Sequence, residues 1–240
     1  STNNGGQAMF PDDGVGLYFE KSNDLMSSTK NVSCTNCSSI NDAWGGVSIK
    51  DSVDIQLHQL TVTDPGNGAL AVEVDNGNLN FNGWVDIHGL DVQANRTGPI
   101  LQLTDTEARI SGVRLNGNHN GMVWDGRDSP LTSSFSDVIL SGNNCLEFTD
   151  LHLVEAVDVD VSACTGQINF RDSTVNMSNS IQGNSVAFDM TGQPSTLRWI
   201  DSGDLGTLNV GVGSLVDEMW TLHVWATNQH NHGLPNAELN

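Results

Sequence analysis

Six copies of one short pattern run along the middle of this chain: a Gly or Asn opens an alternating apolar strand, and an Asp closes it. They read Gly46-Val-Ser-Ile-Lys-Asp51, Gly68-Ala-Leu-Ala-Val-Glu-Val-Asp75, Gly98-Pro-Ile-Leu-Gln-Leu-Thr-Asp105, Gly121-Met-Val-Trp-Asp125, Asn144-Cys-Leu-Glu-Phe-Thr-Asp150 and Gly166-Gln-Ile-Asn-Phe-Arg-Asp172. A looser copy, Asn184 to Asp189, follows. The starts at 46, 68, 98, 121, 144 and 166 lie 22, 30, 23, 23 and 22 residues apart, so four intervals are nearly equal and one has room for an insertion. Self-similarity at such a period is the mark of a repeat architecture.

Between the copies lie further short alternating runs, among them Leu60-Thr-Val-Thr63, Leu90-Asp-Val92, Val113-Arg-Leu115, Val138-Ile-Leu140 and Val175-Asn-Met177. Each repeat therefore holds about three strands of three to five residues. A unit this small cannot bury an apolar face alone, but stacking each coil on the next closes a continuous column. The series Ile49, Val74, Leu103, Trp124, Phe148, Phe170 and Phe188 should form its inward stack. Ser48, Lys50, Glu73, Gln102, Thr104, Glu147, Asn169, Arg171 and Ala187 alternate with that series and should face solvent.

This rhythm resembles the right-handed parallel β-helix of the pectin-lyase-like superfamily, over roughly residues 15–212. The expected fold is all-β, a right-handed parallel β-helix (solenoid) of about eight coils. An antiparallel sandwich is the competing architecture, since it too uses short strands and Gly-rich turns. The Asn-Gly pairs, however, do not join the flanking runs as two-residue hairpins. The chain divides into an N-terminal extension (1–14), the helix proper (15–218) and a C-terminal stretch (219–240). In that last stretch Trp220-Thr-Leu-His-Val-Trp-Ala226 and Gly233-Leu-Pro-Asn-Ala237 resemble the opening of an immunoglobulin-like module. The alternative is a pair of strands that caps the solenoid.

Composition narrows the function. With 9 Lys and Arg against 29 Asp and Glu the formal charge is −20, which repels phosphate backbones, so nucleic acid is not an expected partner. No apolar run approaches the roughly 20 residues of a membrane span, and direct membrane insertion of this segment is not expected. Four Cys suggest an oxidising, extracellular or cell-surface setting. Cys145 and Cys164 are 19 apart, about one coil, and are expected to bridge adjacent coils. Cys34-Thr-Asn-Cys37 reads as a tight disulfide, a redox pair or half a zinc site.

Asp51, Asp75, Asp105, Asp125, Asp150, Asp172 and Asp189 fall at one turn of successive coils, about 4.8 Å apart. Each either closes its turn on backbone N–H groups or contributes oxygens to a Ca²⁺ site, for which Asp105, Asp125, Asp150 and Asp172 are the candidates. No cofactor is required by anything in the chain. His58 and His88 should stack, one ligand short of a usual zinc site.

Pectin-lyase-like enzymes act on polysaccharides with clustered carboxylates, or with Ca²⁺ and a basic residue, in a groove along an exposed sheet. By that resemblance Lys50 near Glu73, and Glu147 near Arg171, are the catalytic candidates. Within residues 15–212 the Asn-Thr-Asp, Asp-Asp, Gly-His-Gly and Arg-x-Lys segments of the polygalacturonase-like members are missing. Trp84, if exposed, would suit a glycan-binding platform. Asn31, Asn36, Asn95 and Asn176 satisfy the N-glycosylation pattern. The expectation is an extracellular structural or adhesive module of a larger surface or filament-forming protein, partnered by other domains or subunits and by glycans. A polysaccharide-acting enzyme and a glycan-binding module are the alternatives.

Overall fold

A computed structural model describes residues 15–20, 32–40, 45–52, 54–63, 71–77, 83–94, 99–117, 121–183 and 186–221. The N-terminal extension, Asn31, Asn95 and everything after Thr221 lie outside the described residues.

Alternation of apolar and polar residues makes each short run a half-buried strand. Every pairing among the described strands is parallel, so the sandwich alternative is excluded. The strands stack into three columns. One carries Gly45–Lys50, Val72–Asp75, Leu101–Thr104 and their successors to Thr207–Val210. A second begins at Val32–Thr35 and ends at Leu215–Met219. A third begins at Ser38–Ile40 and ends at Ile181–Gln182. The molecule is a parallel β-solenoid of about seven turns, slightly fewer than the eight expected.

The bend between the second and third columns is made by one residue per turn. Asn36, Gln59, Gly89, Gly112, Asp137, Asp158, Asn179 and Asp201 all have φ between 47° and 73°. Seven turns separate the first of these eight corners from the last. Left-handed backbone suits Gly, Asn and Asp, and that preference explains the composition of the ladder. A second set of left-handed residues, Asp51, Asp105, Asp150 and Asp172, ends the first-column strands.

The whole expected inward series, from Ile49 to Phe188, is fully buried. Its larger members form a ring stack: Trp124 on Phe148 and Phe148 on Phe170 at 5.6 Å, Phe170 on Phe188 at 5.7 Å, and Phe188 on Trp199 at 5.6 Å. Two residues expected to face solvent are buried instead, Ser48 and Asn169. Ser48 is covered because its hydroxyl donates to Glu73 Oε2 on the next turn, 2.9 Å away.

Buried hydroxyls stitch the turns together beside the apolar core. Ser173 Oγ accepts from Leu151 N on the turn before and donates to Arg171 O on its own turn. Ser195 Oγ accepts from Ser173 N, and Ser214 Oγ from Ser195 N, at 3.2 and 3.1 Å. Ser180 and Ser202 repeat the arrangement at the corner. Both disulfides form, Cys34–Cys37 and Cys145–Cys164, with Cα atoms 6.0 and 5.8 Å apart. The second clamps the start of a turn to its own end, one level up the stack, as its spacing predicts.

Candidate functional site

The outward face of the first column carries the sequence-predicted catalytic residues, and strand register decides which of them meet. Ser48 pairs with Glu73, Glu73 with Gln102, Gln102 with Val123, and Val123 with Glu147. Glu73 and Glu147 are thus three strand spacings apart, about 14 Å at ~4.8 Å per spacing. A glycosidase acid–base pair needs about 5–9.5 Å. Lys50 lies in register with Asp75 rather than with Glu73. Of the expected pairs, only Glu147 and Arg171 contact directly, with Nε 3.5 Å from Oε1. The four candidates do not form one constellation.

The Asp ladder also divides. Asp75 is in register with Thr104, so Asp105 falls one residue beyond it. Asp125 pairs with Thr149 and lies on the Asp75 line, whereas Asp150 follows one residue later. Asp189 stands on the outer face beside Asn169. Asp150 and Asp172 take the left-handed turn-closing conformation at φ 52° and 47°. Among the described residues no group of three or more His, Cys, Asp or Glu side chains is placed to hold a metal ion.

What the register does assemble is a compact polar cluster around Arg127, a residue the sequence reading passed over. Gly126 lets the next turn pack close here, because a Cβ would lie 2.2 Å from Leu151 Cδ2. Arg127 then reaches back toward the preceding turns. Its guanidinium pairs with the Asp105 carboxylate and donates to Gly77 O at 3.1 Å. Its backbone N–H donates to Asp125 Oδ1 at 3.4 Å. Gly77 N in turn donates to Asp75 Oδ1 at 2.9 Å. The Asp105 side chain is 13% exposed and that of Arg127 39%, so the pair is shielded on its carboxylate side.

The Asp125 carboxyl responds to that setting. Burial pushes the Asp125 carboxyl above its ordinary value, and the nearby Asp105 charge adds to the rise; the Arg127 N–H bond and charge oppose it. Asp105 has the guanidinium in direct contact. A carboxyl biased toward the acid form is a group that general acid chemistry can use. The sequence signal was there, an Arg two residues after the Asp of a repeat, but it carries no meaning until the offset of Asp105 is known.

Other candidates are engaged elsewhere. His58 and His88 do stack, edge to face with centroids 6.2 Å apart, and His88 Nδ1 lies 2.8 Å from Ser111 Oγ. Trp124 and Trp199 are buried, each with its indole N–H on a backbone carbonyl. Trp84 is half-buried with the Arg109 guanidinium 4.9 Å from its ring centre, which takes up that face. Asn176 Nδ2 donates to Glu155 Oε1 and Asn176 Oδ1 accepts from Arg198 Nη1, so this sequon lies locked in the sheet; Asn36 is exposed at its corner. A depression of about 310 Å³ follows the corner past Asp158, Asn179, Ile181 and Asp201. Its polar groups are paired, Asn179 to Asp158 and Thr221 to Asp201.

No family model matches this chain, and neither a curated protein nor a solved structure matches it. What can be said of its class rests on the fold: a disulfide-bonded parallel β-solenoid. None of the described residues forms a helix long and apolar enough to cross a membrane.

Proposed function

We propose that this chain is a rigid extracellular module, a structural or adhesive segment of a larger cell-surface or filament-forming assembly, with no catalysis of its own. The observation that carries this reading is the unbroken ring stack from Trp124 to Trp199, which fills the column with side chains instead of leaving a ligand cavity. The Cys145–Cys164 clamp supports the oxidising setting. Fractionation of the source cells tests it. The protein is expected in the surface or extracellular fraction, with both disulfides seen by non-reducing peptide mapping. Recovery from the cytosol with free thiols would overturn it.

One observation favours a second reading, action on polysaccharide: the raised Asp125 carboxyl beside the Asp105–Arg127 pair. Reducing-end and unsaturated-product assays on neutral and acidic polysaccharides decide between the two. Turnover that disappears in Asp125→Asn would establish the enzyme and displace the structural reading; no turnover on any of them leaves the structural reading standing.

A further inference from the structure

Asn169 alternates along its strand with Ile168 and Phe170, both fully buried, so its side chain lies on the outer face of the first column. It is nevertheless only 8% exposed, and its Oδ1 is shielded from solvent without a hydrogen-bond partner. A buried amide oxygen left unpaired carries a desolvation cost that a ligand would relieve. Carboxylates flank it on both sides. Asn144 N donates to Thr165 O, the register that sets Glu147 level with Asn169, and Asn169 pairs with Asp189 on the next turn. Each carboxylate thus stands one strand spacing, ~4.8 Å, from the amide. Glu147 Oε1 has Arg171 Nε at 3.5 Å, and Asp189 Oδ1 accepts from the Thr191 hydroxyl at 3.0 Å. The second oxygen of each carboxylate has no partner among the described residues.

We propose that Glu147, Asn169 Oδ1 and Asp189 form a binding site for a hard divalent cation of the calcium type, with water completing its coordination. All three groups are oxygen acceptors, so none satisfies another; a hydroxyl or N–H would serve one of them, whereas a cation serves all three. Carboxylate and amide oxygens are the ligands that Ca²⁺ takes. The ion ties three successive turns together over the amide. Two carboxylates, with the Arg171 charge offsetting part of theirs, make a site at the weak end of calcium affinities, about 10⁻⁴–10⁻³ M. Because it draws on two carboxylates and an amide, the site is not one of the groups of three His, Cys, Asp or Glu side chains, none of which is placed to hold an ion among the described residues. The inference rests on these side chains alone and stands or falls separately from the extracellular reading.

Calorimetric titration of the full chain with CaCl₂ tests it, in about 0.15 M KCl to screen diffuse attraction to the acidic surface. The expected result is one saturable site, weakened about tenfold or more by Asn169→Leu. Asp189→Asn should weaken it too, and serves if Asn169→Leu fails to fold. Asp91→Asn, which alters an exposed carboxylate on the third column, should leave it unchanged. Asn169→Asp gives the ion a third carboxylate and should tighten binding about tenfold. Saturable binding that survives both Asn169→Leu and Asp189→Asn overturns the proposal in favour of another acidic site. Absence of saturation at about ten times the weak end of the expected range overturns it in favour of a water on Asn169. Binding no tighter in Asn169→Asp overturns it as well, since a third carboxylate must strengthen a site built from these ligands.

Discussion

At Gly89 the backbone sits at φ 73°, in register with Gln59 below and Gly112 above, and a Cβ added there would meet only ordinary contacts. Backbone conformation alone therefore sets the cost of a side chain. Gly89→Ala should destabilise the fold by about 1–2 kcal/mol, whereas Gly89→Asn should cost less; urea denaturation measures both. Asp125 makes a different kind of prediction, about pH. Its carboxyl is raised above the ordinary 3.8, mainly by burial. The folded state thus holds a proton more tightly than the unfolded one. The stability this contributes is fully present below 3.8 and is lost as pH rises through the folded value. Asp125→Asn keeps the acceptor for Arg127 N while removing the ionisation. Denaturation curves across pH 3 to 8 should lose that part of the decline, and the variant should be the more stable at neutral pH.

The strands depend on one another through the hydroxyl stitches as much as through the sheet ladders. Leu151 N and Ser173 N are buried donors whose acceptors are the serines one turn on. Ser173→Ala removes the acceptor of the buried Leu151 donor, so a loss of about 1–3 kcal/mol is expected. A calorimetric melt that is unchanged by Ser173→Ala would remove these hydroxyls from the account of what holds neighbouring turns together. The strand pattern and the inward stack were legible because alternation and a 22–23-residue period are properties of local sequence. The serines were not singled out, because a serine in a polar turn looks the same whether it meets water or a backbone N–H of the next turn. Nor were the single-residue corners, where Gln59, Gly89 and Asp137 share a conformation and not a residue type.

Over the whole molecule, contacts run mainly between neighbouring turns, so stability should be distributed along the stack and sensitive to any clamp. Cys145–Cys164 is such a clamp, 19 residues apart. Replacing both by Ser should cost about 3 kcal/mol by chain-entropy reasoning for a loop of this size. Equilibrium unfolding of the double variant, beside the reduced wild type, checks this. Repeat length, alternation and residue type were enough to determine a parallel solenoid with its Ile49-to-Phe188 core, because each strand's inward and outward sides are set by its own period of two. Tertiary structure alone decided which outward residues meet. Turns of unequal length shift the register between levels, and a shift of one residue separates Asp105 from the line of Asp75 and Asp125. The same displacement brings the Arg127 guanidinium to Asp105 and encloses Asp125, while Glu73 and Glu147 stay three strands apart.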